Sequence, residues 1–218
     1  MTKQRVAETD QGIQEEFNVH VYDAMMRRFR NKGWLVTNNI IGAGIRSGHV
    51  LEIGPGPGYL GLEWLKKTDN TELSAVDINP DMIETAHRNA AEYQMECRAH
   101  YIVSDAKKIP FDDNTFDGIF TNGSLHEWSE PAFIINEIYR VLKFRGRFFI
   151  SDLRRDMNPF VKFFMYTATK PKEIRPGLIS SINASYTVGE ISDIIKTTSF
   201  RKYIINKNPI GIVIIGKK

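Results

Sequence analysis

Val50-Leu51-Glu52-Ile53-Gly54-Pro55-Gly56-Pro57-Gly58 is an apolar run of strand length that ends in three glycines alternating with prolines. A helical pattern follows at once over Tyr59–Lys67, with the pairs Leu60/Trp64 and Leu62/Leu65 at helical spacing. Glycines at such a strand–helix turn let the backbone bend tightly and approach a ligand without a Cβ in the way. The helix that starts near Gly58 presents unpaired N–H groups to whatever sits above the turn. The frame Gly56-Pro57-Gly58-Tyr59-Leu60-Gly61 also fits G-x-G-x-x-G. Asp77 lies about 20 residues beyond, where an acid holds ribose hydroxyls. A nucleotide-like ligand is therefore expected at this turn.

Outward from the turn, short apolar runs alternate with helical patterns. His49–Ile53 is the first strand and Glu72–Val76 the second, ending at Asp77. Asn79 then caps a helix with Pro80 at its first position, a favoured start. That helix carries Met82, Ile83, Ala86, Ala90 and Tyr93 on one face. Ala99–Val103 and Phe116–Thr121 read as the third and fourth strands, Pro131–Leu142 as a helix, and Gly146–Ser151 as the fifth strand. This alternation predicts an α/β fold, Rossmann-like and doubly wound, with helices on both faces of a mostly parallel sheet. Residues 13–47 read as one or two helices before the first strand. Residues 153–186 lack simple alternation and contain Pro159, Pro171 and Pro176. A helix at Thr187–Thr197 precedes two strands, Phe200–Ile205 and Ile210–Ile215. The short turn at Asn206–Pro209 forces these strands antiparallel.

Composition excludes several classes. The chain of 218 residues is 42% hydrophobic and 25% charged, values of an ordinary globular domain. No apolar run reaches the roughly 18 residues needed to cross a bilayer. Met1–Glu16 is polar and charged, unlike a secretory leader, so a cytoplasmic location is expected. The lone Cys97, read as a buried or half-buried residue, excludes an internal disulfide framework. His20, His49, His87 and His100 share no ligand spacing, so no metal site is expected. A net charge of +3 is too weak a balance to indicate a nucleic-acid partner.

The glycine turn and Asp77 alone do not separate a nicotinamide dinucleotide from S-adenosylmethionine. Three further features bear on the choice. Glu52, inside the turn, would repel a pyrophosphate, whereas the methionine part of S-adenosylmethionine carries an ammonium that an acid can accept. Asp105-Ala106 follows the third strand and offers an acid to an adenine amino group. The fourth strand runs into Thr121-Asn122-Gly123-Ser124-Leu125-His126-Glu127-Trp128.

With these stretches in order, VLEIGPGPGYLG, AVDINPDMIETA, VSDAKKIPFDDNTFDGIFTNGSLHEW and EIYRVLKFRGRFFISDL, the chain resembles the class I S-adenosylmethionine-dependent methyltransferases. The branch it resembles includes the ubiquinone/menaquinone C-methyltransferases. The resemblance covers residues 49–153 and is specific for fold and cofactor, not for substrate. It implies a seven-stranded sheet whose last strand runs antiparallel. It implies S-adenosylmethionine as methyl donor and S-adenosylhomocysteine as product. The backbone of Gly54, Gly56 and Gly58 would line the methionine part, with Glu52 in the network around the ammonium. Asp77 would take the ribose hydroxyls and Ile78 would pack on adenine. Asp105 would bind the adenine amino group with Ala106 beside it, and Asn122 and Gly123 would lie under the sulfonium. Tyr22 is the candidate aromatic closing over the cofactor, with Phe17 second. One departure stands out: relatives often read L-K-P-G-G where this chain has Leu142-Lys143-Phe144-Arg145-Gly146, so an altered turn is expected there.

A sulfonium is already an activated methyl donor, so the protein must mainly align the acceptor and exclude water. A protonated acceptor also needs a base. His126 is the candidate, against the plainer reading of a histidine that only bonds a loop carbonyl. The chain divides into an N-terminal helical cap (1–47), a cofactor-binding core (48–152), a substrate lid (153–186) and a closing helix with its strand pair (187–218), together one domain. The lid carries Phe160, Phe163, Phe164, Met165 and Tyr166 beside Arg154, Arg155, Lys162, Lys170, Lys172 and Arg175. It is read either as an apolar pocket with a basic rim or as an amphipathic helix on the core. A small-molecule acceptor is expected. The alternatives are an RNA or protein methyltransferase and a non-catalytic S-adenosylmethionine-binding module. The sequence says nothing about oligomeric state.

Overall fold

The computed structural model describes residues 4–8 and 16–218, with side chains from residue 19 onward in the second stretch. Phe17 lies outside the described side chains. The strands are β1 (Gly48–Ile53), β2 (Thr71–Asp77), β3 (Ala99–Val103), β4 (Phe116–Asn122), β5 (Leu142–Leu153), β6 (Lys202–Lys207) and β7 (Gly211–Lys217). The helices are α1 (Glu16–Asn31), α2 (Thr37–Gly42), α3 (Tyr59–Lys66), α4 (Pro80–Glu92), α5 (Pro131–Val141), α6 (Pro159–Ala168), α7 (Arg175–Ala184) and α8 (Val188–Lys196).

The seven strands form one sheet in the order β3-β2-β1-β4-β5-β7-β6. Strands β1 to β5 run parallel, and β7 is antiparallel to both β5 and β6. Successive side chains of a strand point to opposite faces. Accordingly Leu51, Ile119, Phe148 and Ile150 join α5 and α8 in one core, around Ile135, Ile138 and Ile191. Val50, Phe120 and Phe149 face the other way, toward α2, α3 and α4, around Trp64, Leu62 and Ala86. Trp64 is fully buried, and its indole N–H donates to the Ile45 carbonyl at 2.8 Å, so its one polar atom is satisfied. Among the described residues no helix is long and apolar enough to cross a membrane.

Three details differ from the sequence-based expectation. Residues 153–186, read as a lid or a single amphipathic helix, contain two helices, and their prolines start helices instead of breaking them: Pro159 opens α6 and Pro176 lies in the first turn of α7. The segment Leu142–Gly146, expected as a turn, instead lies within β5, with Arg145 at φ 66, a left-handed position where L side chains are uncommon. Its N–H donates to the Lys218 carbonyl, and the register against β4 shifts between Phe116 and Gly118. Cys97 is exposed, because it sits in the loop between α4 and β3 rather than on a core-facing element.

Candidate active site

Strand order reverses beside β1: from β1 the chain winds outward to β2 and β3 on one side, then returns to β4 on the other. In open α/β sheets the crevice at the carboxyl ends of the strands flanking such a switch is where ligands bind. Here that crevice is a cleft open to solvent on one side, its walls supplied by the loops that follow β1, β2, β3 and β4.

The turn after β1 forms one wall. Gly54 and Gly56 line the cavity with φ of 66 and 51. At Gly54 a Cβ would collide with the Ser124 hydroxyl, so the β1 and β4 loops meet there only because the residue is glycine. Gly58 does not line the cavity. It turns away from it, at φ 83, and a Cβ there would lie 2.8 Å from the Tyr101 hydroxyl. Its part is to let α3 start against α4.

Asp77, at the end of β2, ties this wall to the next. Its carboxylate accepts the Gly56 N–H at 3.1 Å and the Asn79 N–H at 3.0 Å. Burial raises the Asp77 carboxyl above the ordinary range, and these backbone N–H groups pull it back. Asn79 caps α4, accepting from the Asp81 and Met82 N–H groups at 2.7 and 3.3 Å, so the helix start is fixed beside Asp77. Ile78 lines the cavity and is 39% exposed, leaving an apolar plate at the mouth. Asp105 caps the short turn Ala106–Lys108 by accepting the Lys107 N–H at 2.8 Å, and both Asp105 and Ala106 line the cavity. Asn122 and Gly123 close the floor. The Ser151 hydroxyl donates to the Asn122 side chain at 2.7 Å and the Gly123 N–H to the Ser151 carbonyl at 2.8 Å, which fixes both to β5. Tyr22 of α1 reaches over the turn. Its ring lies 3.3 Å from where a Cβ of Gly56 would be, and it lines the cavity from above.

Glu52 is the exception among the expected cofactor contacts. It is 1% exposed, does not line the cavity, and sits beneath the start of α3 beside Gly61. Burial and the Asp77 charge push its carboxyl well above the usual range, and one oxygen has no partner. Because side chains alternate along β1, Ile53 faces the cavity and Glu52 the opposite side. Glu52 thus lies under the turn and does not face the cavity.

The predicted base is placed differently from expectation as well. His126 is buried, and its Nδ1 lies 2.9 Å from Asp152, whose carboxylate also accepts the His126 backbone N–H at 2.7 Å. Nε2 lies 3.4 Å from Glu8. Burial alone would lower the imidazole pKa, but the Asp152 contact outweighs it and raises the group to about 9. The ring is thus a cation held between two carboxylates. It is not among the cavity-lining residues; Glu127 is. Burial, reinforced by Asp77, Asp152 and Glu8 and opposed by His126, raises Glu127 to about 7. No local pattern around His126 points to Asp152 or Glu8, which lie far from it along the chain. The N-terminal stretch also spans the loop: Arg5 donates to the carbonyls of His126 at 2.8 Å and Ala184 at 2.5 Å, and lies 4.2 Å over the Tyr186 ring.

None of the residues that line the cavity comes from 153–186. Residues 153–186 therefore supply no wall of this cavity. Arg154 pairs with Asp156, Arg155 with Glu190, and the three phenylalanines of α6 face solvent.

The donor set suits S-adenosylmethionine. The cavity lining holds the acids Asp77, Asp105 and Glu127, the apolar Ile78 and a floor of Asn122 and Gly123. Comparisons agree. Residues 51–150 match the family described as a methyltransferase domain. The chain is 26% identical to the ubiquinone/menaquinone biosynthesis C-methyltransferase UbiE of Rickettsia felis, over 77% of this chain and 74% of that protein. It is 30% identical to the demethylmenaquinone methyltransferase of Symbiobacterium thermophilum, over 56% of this chain and 49% of that protein. With several such relatives the match spans about half of their length. Among solved structures, a Methanococcus maripaludis protein provisionally named an S-adenosyl-L-methionine-dependent methyltransferase aligns with a TM-score of 0.75 and 26% identity, covering 95% of this chain and 97% of that one.

Proposed function

We propose that this class I S-adenosylmethionine-dependent methyltransferase, whose methyltransferase domain occupies residues 51–150, methylates a small-molecule acceptor. When bound, S-adenosylmethionine supplies a methyl group already activated by the sulfonium. The observation that carries the reading is the single cavity in which Gly54, Gly56, Asp77, Asp105 and Asn122 converge. Asp77 holds the ribose hydroxyls, Ile78 packs on the adenine, and Asp105 with the Ala106 turn receives its amino group. Tyr22 covers the glycine turn and excludes water.

Glu127, rather than His126, receives any proton the acceptor must lose. It faces the cavity, and a carboxyl titrating near 7 is matched to proton transfer at neutral pH. His126 positions it: clamped by Asp152 and Glu8, the imidazolium holds the loop and tempers the charge of its neighbour. The ubiquinone and menaquinone relatives favour an aromatic, quinone-like acceptor. The test is incubation with methyl-labelled S-adenosylmethionine and a metabolite extract, followed by mass spectrometry. Label in a low-mass aromatic species supports the reading, and label only in RNA or protein contradicts it.

A further inference from the structure

Helix α6 carries ten residues, none of them buried. Val161 and Met165, one turn apart, are half-buried and face inward. Phe160, Phe163 and Phe164 share the opposite face and are 84%, 68% and 70% exposed. Just past the helix end, Lys170 and Lys172 are exposed, with Glu173 the neighbouring acid, and the Arg175 guanidinium lies 5.0 Å over the Tyr166 ring. Rings that project into solvent from one face, with cations just beyond the helix end, suit a helix lying in a lipid interface.

We propose that α6 docks the protein on an anionic lipid bilayer, the three phenylalanine rings entering the acyl boundary while Lys170 and Lys172 meet the headgroup charge. A second copy of the chain fits this face less well. A ten-residue helix is about 15 Å long and about 10 Å across, so its face offers at most a few hundred Å². A stable protein partner needs roughly 800 Å² per side. A bilayer has no such threshold, because each ring inserts on its own and the lysines add attraction. This proposal stands on α6 and does not depend on which acceptor is methylated.

The full chain is sedimented with vesicles of phosphatidylcholine and phosphatidylglycerol in equal parts, and with vesicles of phosphatidylcholine alone. The wild type pellets with the anionic vesicles and much less with the neutral ones. The variant F160S/F163S/F164S loses at least about tenfold in apparent affinity, because each buried ring contributes to partitioning. Its melting transition and S-adenosylmethionine affinity stay unchanged, since these rings are mostly exposed and line no part of the cavity. K170E/K172E loses the preference for anionic vesicles. The proposal is overturned if the wild type stays in the supernatant with both vesicles, if the triple variant binds as well as the wild type, or if the rings mediate a vesicle-independent dimer instead.

Discussion

Glu127 and His126 are neighbours in sequence with opposite assignments. The imidazole is locked away from the cavity by Asp152 and Glu8, while the carboxyl faces it. A free-protein value of about 7 for Glu127 means that below neutrality the cavity loses one negative charge. A bound sulfonium favours the ionised form, so affinity for S-adenosylmethionine should rise as pH increases through neutrality, the ionised site binding on the order of tenfold more tightly than the protonated one. S-adenosylhomocysteine lacks the sulfonium charge and should respond less. The ratio of the two dissociation constants, measured across this range, should become flat in Glu127→Gln; a slope that persists in that variant would remove Glu127 from the mechanism. At this scale Gly54, Gly56, Asp77 and Asp105, singled out from local sequence, line one cavity. Glu52 and His126 lie off it, because the side a residue faces and the partner it meets depend on strand alternation and on distant chain.

At the scale of elements, what was legible followed periodicity and caps. Asn79 with Pro80 announced α4, and Thr187 with Glu190 forms a capping box at α8 with both reciprocal hydrogen bonds present. Thr187→Ala should therefore cost about 1 kcal/mol and lower the melting temperature by a few degrees, with S-adenosylmethionine affinity unchanged by calorimetry. An unchanged melt would mean the cap contributes nothing. The number and bounds of the helices in 153–186 were not legible, for two physical reasons. Their prolines sit in first turns, where the missing N–H costs nothing. The three phenylalanines of α6 face solvent, leaving only Val161 and Met165 half-buried on its inward side.

For the molecule as a whole, the order of strands does what no single motif can. Winding outward twice from β1 brings the ends of β1, β2, β3 and β4 to one crevice, so that Gly54, Asp77, Asp105 and Asn122, scattered along the chain, line one cavity. The antiparallel β7 pairs with β5 along Arg147–Leu153, the strand that supplies Ser151 beneath Asn122 and Asp152 beneath His126. This architecture was readable from the alternation of strands and helices, and the closing pair from its short turn. The contacts of Arg5 and Glu8 with the His126 loop were not, since they join residues far apart along the chain. The most direct test of the central claim is titration calorimetry of the chain with S-adenosylmethionine, with NAD as comparison, for the wild type and Asp77→Asn. Saturable binding of S-adenosylmethionine is expected, with none of NAD, and a loss of about ten- to hundredfold in the variant as charged hydrogen bonds to the ribose are removed. Preferential binding of NAD, or undiminished S-adenosylmethionine binding by Asp77→Asn, would contradict the assignment of this cavity to S-adenosylmethionine.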